Sequence, residues 1–233
     1  MRWSNEEASK QINNLIAAYP QLKMSTPYLD NSEIQLAGSL NINRSAFNYI
    51  VQKEYPIEIT IPLGNSDLPR VRETGNMIAS DYPHRYDDGT LCIETDTSML
   101  LYFIDGFDLV EWIEAFVEPY FFSYEYHSRF GVFPFGERPH HIEGIIDTYK
   151  ELFHCDNLNQ ALRLLKYAAE DTYRGHDLCP CCSGKKLRNC HGKQLLPFMT
   201  DTRKKDIALS NMQYLRKEFL KIEQSKTNYS STK

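Results

Sequence analysis

Four of the six cysteines crowd into Cys179-Pro180-Cys181-Cys182-Ser183-Gly184-Lys185-Lys186-Leu187-Arg188-Asn189-Cys190-His191-Gly192, while Cys92 and Cys155 stand alone. That spacing suits a metal site rather than a disulfide framework, and it points to a reducing compartment. A segment this short has no core of its own, so bound metal would supply its folding energy. Cys92 offers a different chemistry. A thiol with a pKa of about 8.5 is a few per cent ionised near neutrality and is intrinsically nucleophilic. Acyl exchange at such a thiol needs no triad, only an exposed loop and a donor for the tetrahedral oxyanion. The other reading of a solitary cysteine is a small buried apolar side chain. Gly136-Glu137-Arg138-Pro139-His140-His141-Ile142-Glu143 gathers two histidines and two carboxylates. Capping and loop anchoring are the common uses of such residues, and a second metal or acid–base site is the alternative.

The elements that must position these residues show in the apolar pattern. Ser4-Asn5-Glu6-Glu7 reads as a capping box, followed by Ala8, Ile12, Leu15, Ile16 and Tyr19 on one helical face as far as Pro20. Ile34, Leu36, Leu40 and Ile42, then Ile57, Ile59 and Ile61, alternate as half-buried strands, and Pro69 to Glu73 adds a short one. Residues 74–97 lose periodicity around Pro83, Asp87, Asp88 and Gly89, where turn chemistry dominates and function often resides. From Phe107 a buried helix carries Val110, Ile113, Phe116, Val117, Tyr120 and Phe121, with Pro119 marking a kink or an end. Two more helices follow the 131–139 loop, one with Ile145, Ile146, Tyr149, Leu152 and Phe153, the other with Leu158, Ala161, Leu162, Leu165 and Ala168, capped by Asp156 or Asn157. Ala208, Met212, Leu215, Phe219 and Ile222 then recur at helical spacing, suited to docking on the chain's own domain first and on a partner as the alternative.

Composition narrows the function classes. With 233 residues, 42% hydrophobic and 12% aromatic, the chain can bury a substantial core, and a net charge of -5 argues against nucleic acid as a partner. The longest apolar stretch, Met99 to Ile104, is too short to span a bilayer, and Met1-Arg2-Trp3-Ser4 leads into a polar helix; a cytoplasmic protein with no membrane partner is expected.

Tyr82-Pro83-His84-Arg85-Tyr86-Asp87-Asp88-Gly89-Thr90-Leu91-Cys92-Ile93-Glu94 resembles the active-site segment of ubiquitin-conjugating enzymes, in which His-Pro-Asn, four residues, Gly and two residues precede the nucleophilic Cys. Pro83, Gly89 and Cys92 fall in register with no gap. Tyr82 replaces the family's His, and His84 replaces its Asn, whose role as oxyanion donor an imidazole can also fill. The resemblance covers roughly residues 4–127. It implies an α+β fold with a ubiquitin-conjugating-enzyme-like core, made of an N-terminal helix, an antiparallel meander sheet and C-terminal helices, plus a small zinc knuckle. The catalytic residues it implies are Cys92 and His84, with Asp87, Asp88, Glu94 and Asp96 as candidates to deprotonate the acceptor amine. The cysteine-rich segment resembles the SEC-C motif, with Cys182 where Gly is usual. This implies Cys179, Cys181, Cys190 and His191 as ligands of a structural zinc ion with no open position. The organisation expected is a conjugating-like domain over 1–130, a helical extension over 131–175, the knuckle over 176–194, a helix over 195–224 and a disordered tail over 225–233. The implied activity is transfer of a protein C-terminus from a Cys92 thioester to an amine. Similarity to bacterial relatives in antiphage, cyclic-oligonucleotide signalling operons suggests a cGAS-like nucleotidyltransferase or a ubiquitin-like protein as the cargo. No adenylation motif is visible, so a separate activating enzyme is expected. A catalytically inactive adaptor that binds a protein or ribosome is the alternative, and a redox sensor at Cys92 a weaker one.

Overall fold

Ser4 opens the chain's first helix in the computed structural model, which describes residues 4–25, 32–63, 67–137, 139 and 141–230. Its hydroxyl accepts from the Glu7 amide while the Glu7 carboxylate accepts from the Ser4 amide, closing the expected capping box of α1 (Asn5–Ala18). The protein is α+β. A four-stranded antiparallel sheet runs in the order β1 (Lys23–Met24), β2 (Glu33–Ala46), β3 (Tyr49–Pro62) and β4 (Arg70–Glu73). The helices that follow are α2 (Asp96–Tyr102), α3 (Leu109–Trp112), α4 (Glu118–Phe130), α5 (His141–Phe153), α6 (Leu158–Glu170), α7 (Gly192–Thr200) and α8 (Thr202–Ser230). Among the described residues no helix is long and apolar enough to cross a membrane.

The chain divides into two compact units, and the division is not a single cut. The first comprises Met1–Glu94 and Gly106–Glu137; the second comprises Thr95–Asp105 and Arg138–Lys233. Residues 95–105 group with the second unit although they lie within the sequence span of the first. Thr97 and Met99 of α2 are buried, the Asn211 amide of α8 donates to Thr97 Oγ1 at 2.8 Å, and Thr95 meets Thr148 of α5 at 3.2 Å. These long-range contacts assign the segment to the second unit.

In the first unit β2 and β3 form one long hairpin in continuous register from Glu33↔Pro62 to Ala46↔Tyr49. Ile34, Leu36, Leu40 and Ile42 are buried on one face, as are Tyr55, Ile57, Ile59 and Ile61. Gly38 interrupts the apolar alternation because the neighbouring chain passes there: a Cβ would stand 2.0 Å from the Gln21 carbonyl oxygen. Phe47 and Asn48 turn the hairpin with φ of 51° and 59°, values suited to a tight two-residue turn and unusual for phenylalanine. Helix α3 passes through a π turn (Ile113–Val117) into α4 without interruption. Pro119, expected to kink or end the helix, instead sits at the start of α4; the wider π turn before it accommodates the missing N–H and the ring.

The second unit is helical around a core that includes Tyr149, Phe153, Leu164, Leu165, Phe198 and Leu215. Asn157 caps α6 by accepting from the Gln160 amide at 3.0 Å. Helix α8 extends to Ser230, through the start of the expected tail; residues 231–233 lie outside the described residues.

Candidate thiol site and metal centre

Cys92 ends the second arm of a small hairpin that begins at His84. The Tyr86 amide donates to the Thr90 carbonyl at 2.9 Å, Arg85 pairs with Leu91, and the Cys92 amide donates to the His84 carbonyl at 2.9 Å. Gly89, at φ +84°, supplies the left-handed residue that closes the turn. The Asp88 carboxylate accepts from the Thr90 amide at 2.9 Å, and this bond is the main cause holding its pKa below the usual carboxylate value. Asp88 is thus a turn residue. Asp87 is exposed, Glu94 is half-buried, and Asp96 lies in the first turn of α2, in the other unit.

Three side chains hold this hairpin and the segment that leads into it: Tyr120, which the periodicity placed in a buried helix, and Tyr124 and Glu73, whose backbone partners it did not reveal. Tyr120 of α4, 5% exposed, donates to the same His84 carbonyl at 3.0 Å. One turn later the Tyr124 hydroxyl donates to the Met77 carbonyl at 2.9 Å and accepts from the Ala79 amide at 3.1 Å. The buried Glu73 carboxylate, at the end of β4, accepts from the amides of Met77 and Ile78 at 2.9 and 3.3 Å and also from Gly75. A chain stretch without regular structure is thereby fixed at several backbone groups. Tyr82 is buried among Tyr120, Tyr124 and Phe133, and burial drives its hydroxyl pKa upward. The Cys92 side chain is half-buried rather than sealed in the core. The structure brings His84 to Cys92 through its backbone carbonyl. The His84 ring packs edge-on against Phe133 at 5.2 Å and against Tyr82 at 5.7 Å.

The second site is local in sequence. Its first arm turns at Cys179 to Lys185, where the Cys179 amide donates to the Lys185 carbonyl at 2.8 Å, and Leu178 bridges to Lys186. A 3₁₀ turn (Leu187–Asn189) then delivers Cys190 and His191 to the start of α7. The ligand atoms of Cys179, Cys181, Cys190 and His191 all lie within 4.8 Å of one another. Cys181 Sγ is 3.6 Å from Cys190 Sγ, and His191 Nδ1 is 3.3 and 3.2 Å from Cys179 and Cys190 Sγ. A tetrahedral zinc ion with Zn–S near 2.3 Å requires ligand separations of about 3.6–3.8 Å, so these four side chains are close enough to hold a metal ion. Burial lowers the His191 pKa, which favours the neutral imidazole that coordination needs. Cys182 stands outside the group, exposed, at φ +66°, with Arg163 Nη1 2.7 Å from its sulfur. The left-handed backbone at this position is the reason glycine suits it. Cys155 is half-buried, and burial pushes its thiol up to about 11.

His140 lies outside the described residues, while His141 and Glu143 begin α5 and, among the described residues, join no metal-ligating group. Compared with known proteins, the chain matches no family model, no curated protein and no solved structure.

Proposed function

We propose that the chain is a ubiquitin-conjugating-enzyme-like acyl carrier and transferase, with Cys92 as its thioester-forming nucleophile and a structural zinc ion on Cys179, Cys181, Cys190 and His191. The observation that carries this reading is a partly exposed Cys92 thiol at the end of a backbone-anchored hairpin, preceded in the chain by a helix and a four-stranded antiparallel meander. The Pro83, Gly89 and Cys92 register of the resemblance supports the same reading. The Cys92 thiolate adds to an activated C-terminal carbonyl, and the activating group departs with the bonding electrons. An amine, typically of a lysine, then adds to the thioester carbon, loses a proton and expels the thiolate. The cargo is a ubiquitin-like protein or a cGAS-like nucleotidyltransferase, activated by another protein, in antiphage defence.

A second reading, an inactive zinc-containing adaptor, is favoured by one observation: the His84 ring, the expected oxyanion donor, is packed against Phe133 and Tyr82. Intact-mass analysis of the chain expressed with its genomic neighbours separates the two. A carrier yields an adduct removed by thiol reductant, absent from Cys92→Ala and converted to a reductant-resistant oxyester in Cys92→Ser. An adduct indifferent to Cys92, or no adduct, supports the adaptor.

A further inference from the structure

Arg85 is a cation of the Cys92 hairpin that makes no direct ion pair among the described residues. Its Nε is buried without a hydrogen-bond partner, and its guanidinium makes no hydrogen bond among the described residues. Buried donors are ordinarily satisfied, and a guanidinium presents five of them in a planar fork suited to a carboxylate. The nearby carboxylates are already engaged. Glu73 holds the amides of residues 75, 77 and 78, Asp88 holds the Thr90 amide, and Glu58 pairs with Arg72 at 2.8 Å. The guanidinium opens on a solvent-facing recess of ≈ 290 Å³ lined also by Arg72, Asn76 and Gly89, by Thr74, and by the two engaged carboxylates Glu73 and Asp88. A Cβ on Gly89 would stand 3.4 Å from the Arg85 Nη2, so Gly89 borders the recess beside the charge. A space of this size accommodates one anionic group borne on a larger ligand.

The recess also lies near the thiol. Arg85 pairs across the hairpin with Leu91, the residue before Cys92. Side chains alternate along the hairpin, so Arg85 and Cys92 project from opposite faces. A polypeptide touching both rounds the hairpin edge over a few extended residues at about 3.4 Å each.

We propose that Arg85, with Asn76, binds the carboxylate of an acidic side chain lying a few residues before the carboxyl end of the polypeptide carried on Cys92. This rests on the carrier reading for its ligand, but the recess can be tested alone. The full chain is titrated with acetyl-Gly-Glu-Gly-Gly-amide and with its Gln counterpart while the Arg85 Nε–H resonance is followed by NMR. The Glu peptide shifts that resonance saturably and binds at least about tenfold more tightly than the Gln peptide. Arg85→Gln abolishes the preference, Arg85→Lys retains part of it as a point charge without the fork, and Cys92→Ala leaves it intact. Equal binding of the two peptides, an unmoved Arg85 resonance, or a preference surviving in Arg85→Gln overturns the proposal. A Glu preference in a protein that never forms a Cys92 adduct leaves the carboxylate site standing and removes the carrier reading. An adduct without the preference does the reverse.

Discussion

Removing the hydroxyls of Tyr120 and Tyr124 one at a time measures how firmly the Cys92 hairpin is held. Tyr120→Phe deletes one neutral hydrogen bond and leaves the ring, so no cavity forms. The His84 carbonyl still accepts from the Cys92 amide and is not orphaned. The net loss is therefore that of a single bond, about 1 kcal/mol, or about a fivefold rise in the local opening equilibrium. Tyr124→Phe deletes a donor to Met77 and an acceptor for Ala79. Ala79 is exposed, so water can take its amide, and the expected cost is about 1–2 kcal/mol rather than the full value of two bonds. Native-state amide hydrogen exchange reads both effects residue by residue. Protection of the Cys92 amide falls about fivefold in Tyr120→Phe, and that of residues 77–79 falls at least as much in Tyr124→Phe. If Cys92 protection stays within about twofold of the parent in Tyr120→Phe while the variant is globally less stable, the hydroxyl does not hold the hairpin and the anchoring argument fails.

Elemental analysis finds one zinc per chain, lost in Cys190→Ser and in His191→Ala and kept in Cys182→Ser; retention by Cys190→Ser contradicts the ligand set. Gly89→Ala, forced into left-handed backbone, loses about 1–2 kcal/mol in urea unfolding followed at the first unit, and an unchanged midpoint refutes the strain. Burial raises the Glu118 pKa despite the opposing Tyr19 hydrogen bond and Arg44 charge. Its folded value thus exceeds its unfolded one, so its favourable contribution is present below the unfolded pKa and is lost as pH rises through the folded value. Glu118→Gln therefore gains stability relative to the parent between about pH 4 and pH 7. An unchanged difference in urea midpoints at the two pH values contradicts that sign.

Much of the fold was legible because it is local. The Ser4 and Glu7 box, the alternating isoleucines of β2 and β3, and the helical spacings of α5 and α6 each carry their own signal within a few residues. The closeness of Cys179, Cys181, Cys190 and His191 has the same local origin, since a 3₁₀ turn is all that brings the two halves of the group near enough to hold a metal ion. What the sequence hid is tertiary. Two exposed residues of β1 show no pattern, and a turn at Phe47 and Asn48 without glycine gives no warning of positive φ. Glu73, Tyr120 and Tyr124 read as strand or core residues until their distant backbone partners are known. The placement of α2 depends on Asn211, 114 positions away.

The interleaving of the two units has a practical corollary for dissection. A stop codon after Glu137 would deliver every residue of the Cys92 unit, but it would also deliver Thr95–Asp105, whose Thr97 accepts a hydrogen bond from Asn211 and whose Leu101 packs against the core of the second unit. Such a fragment carries an orphaned helix that begins four residues beyond its thiol, an invitation to aggregate. A minimal thiol-bearing fragment instead requires excising 95–105 and bridging Glu94 to Gly106 with a polar linker.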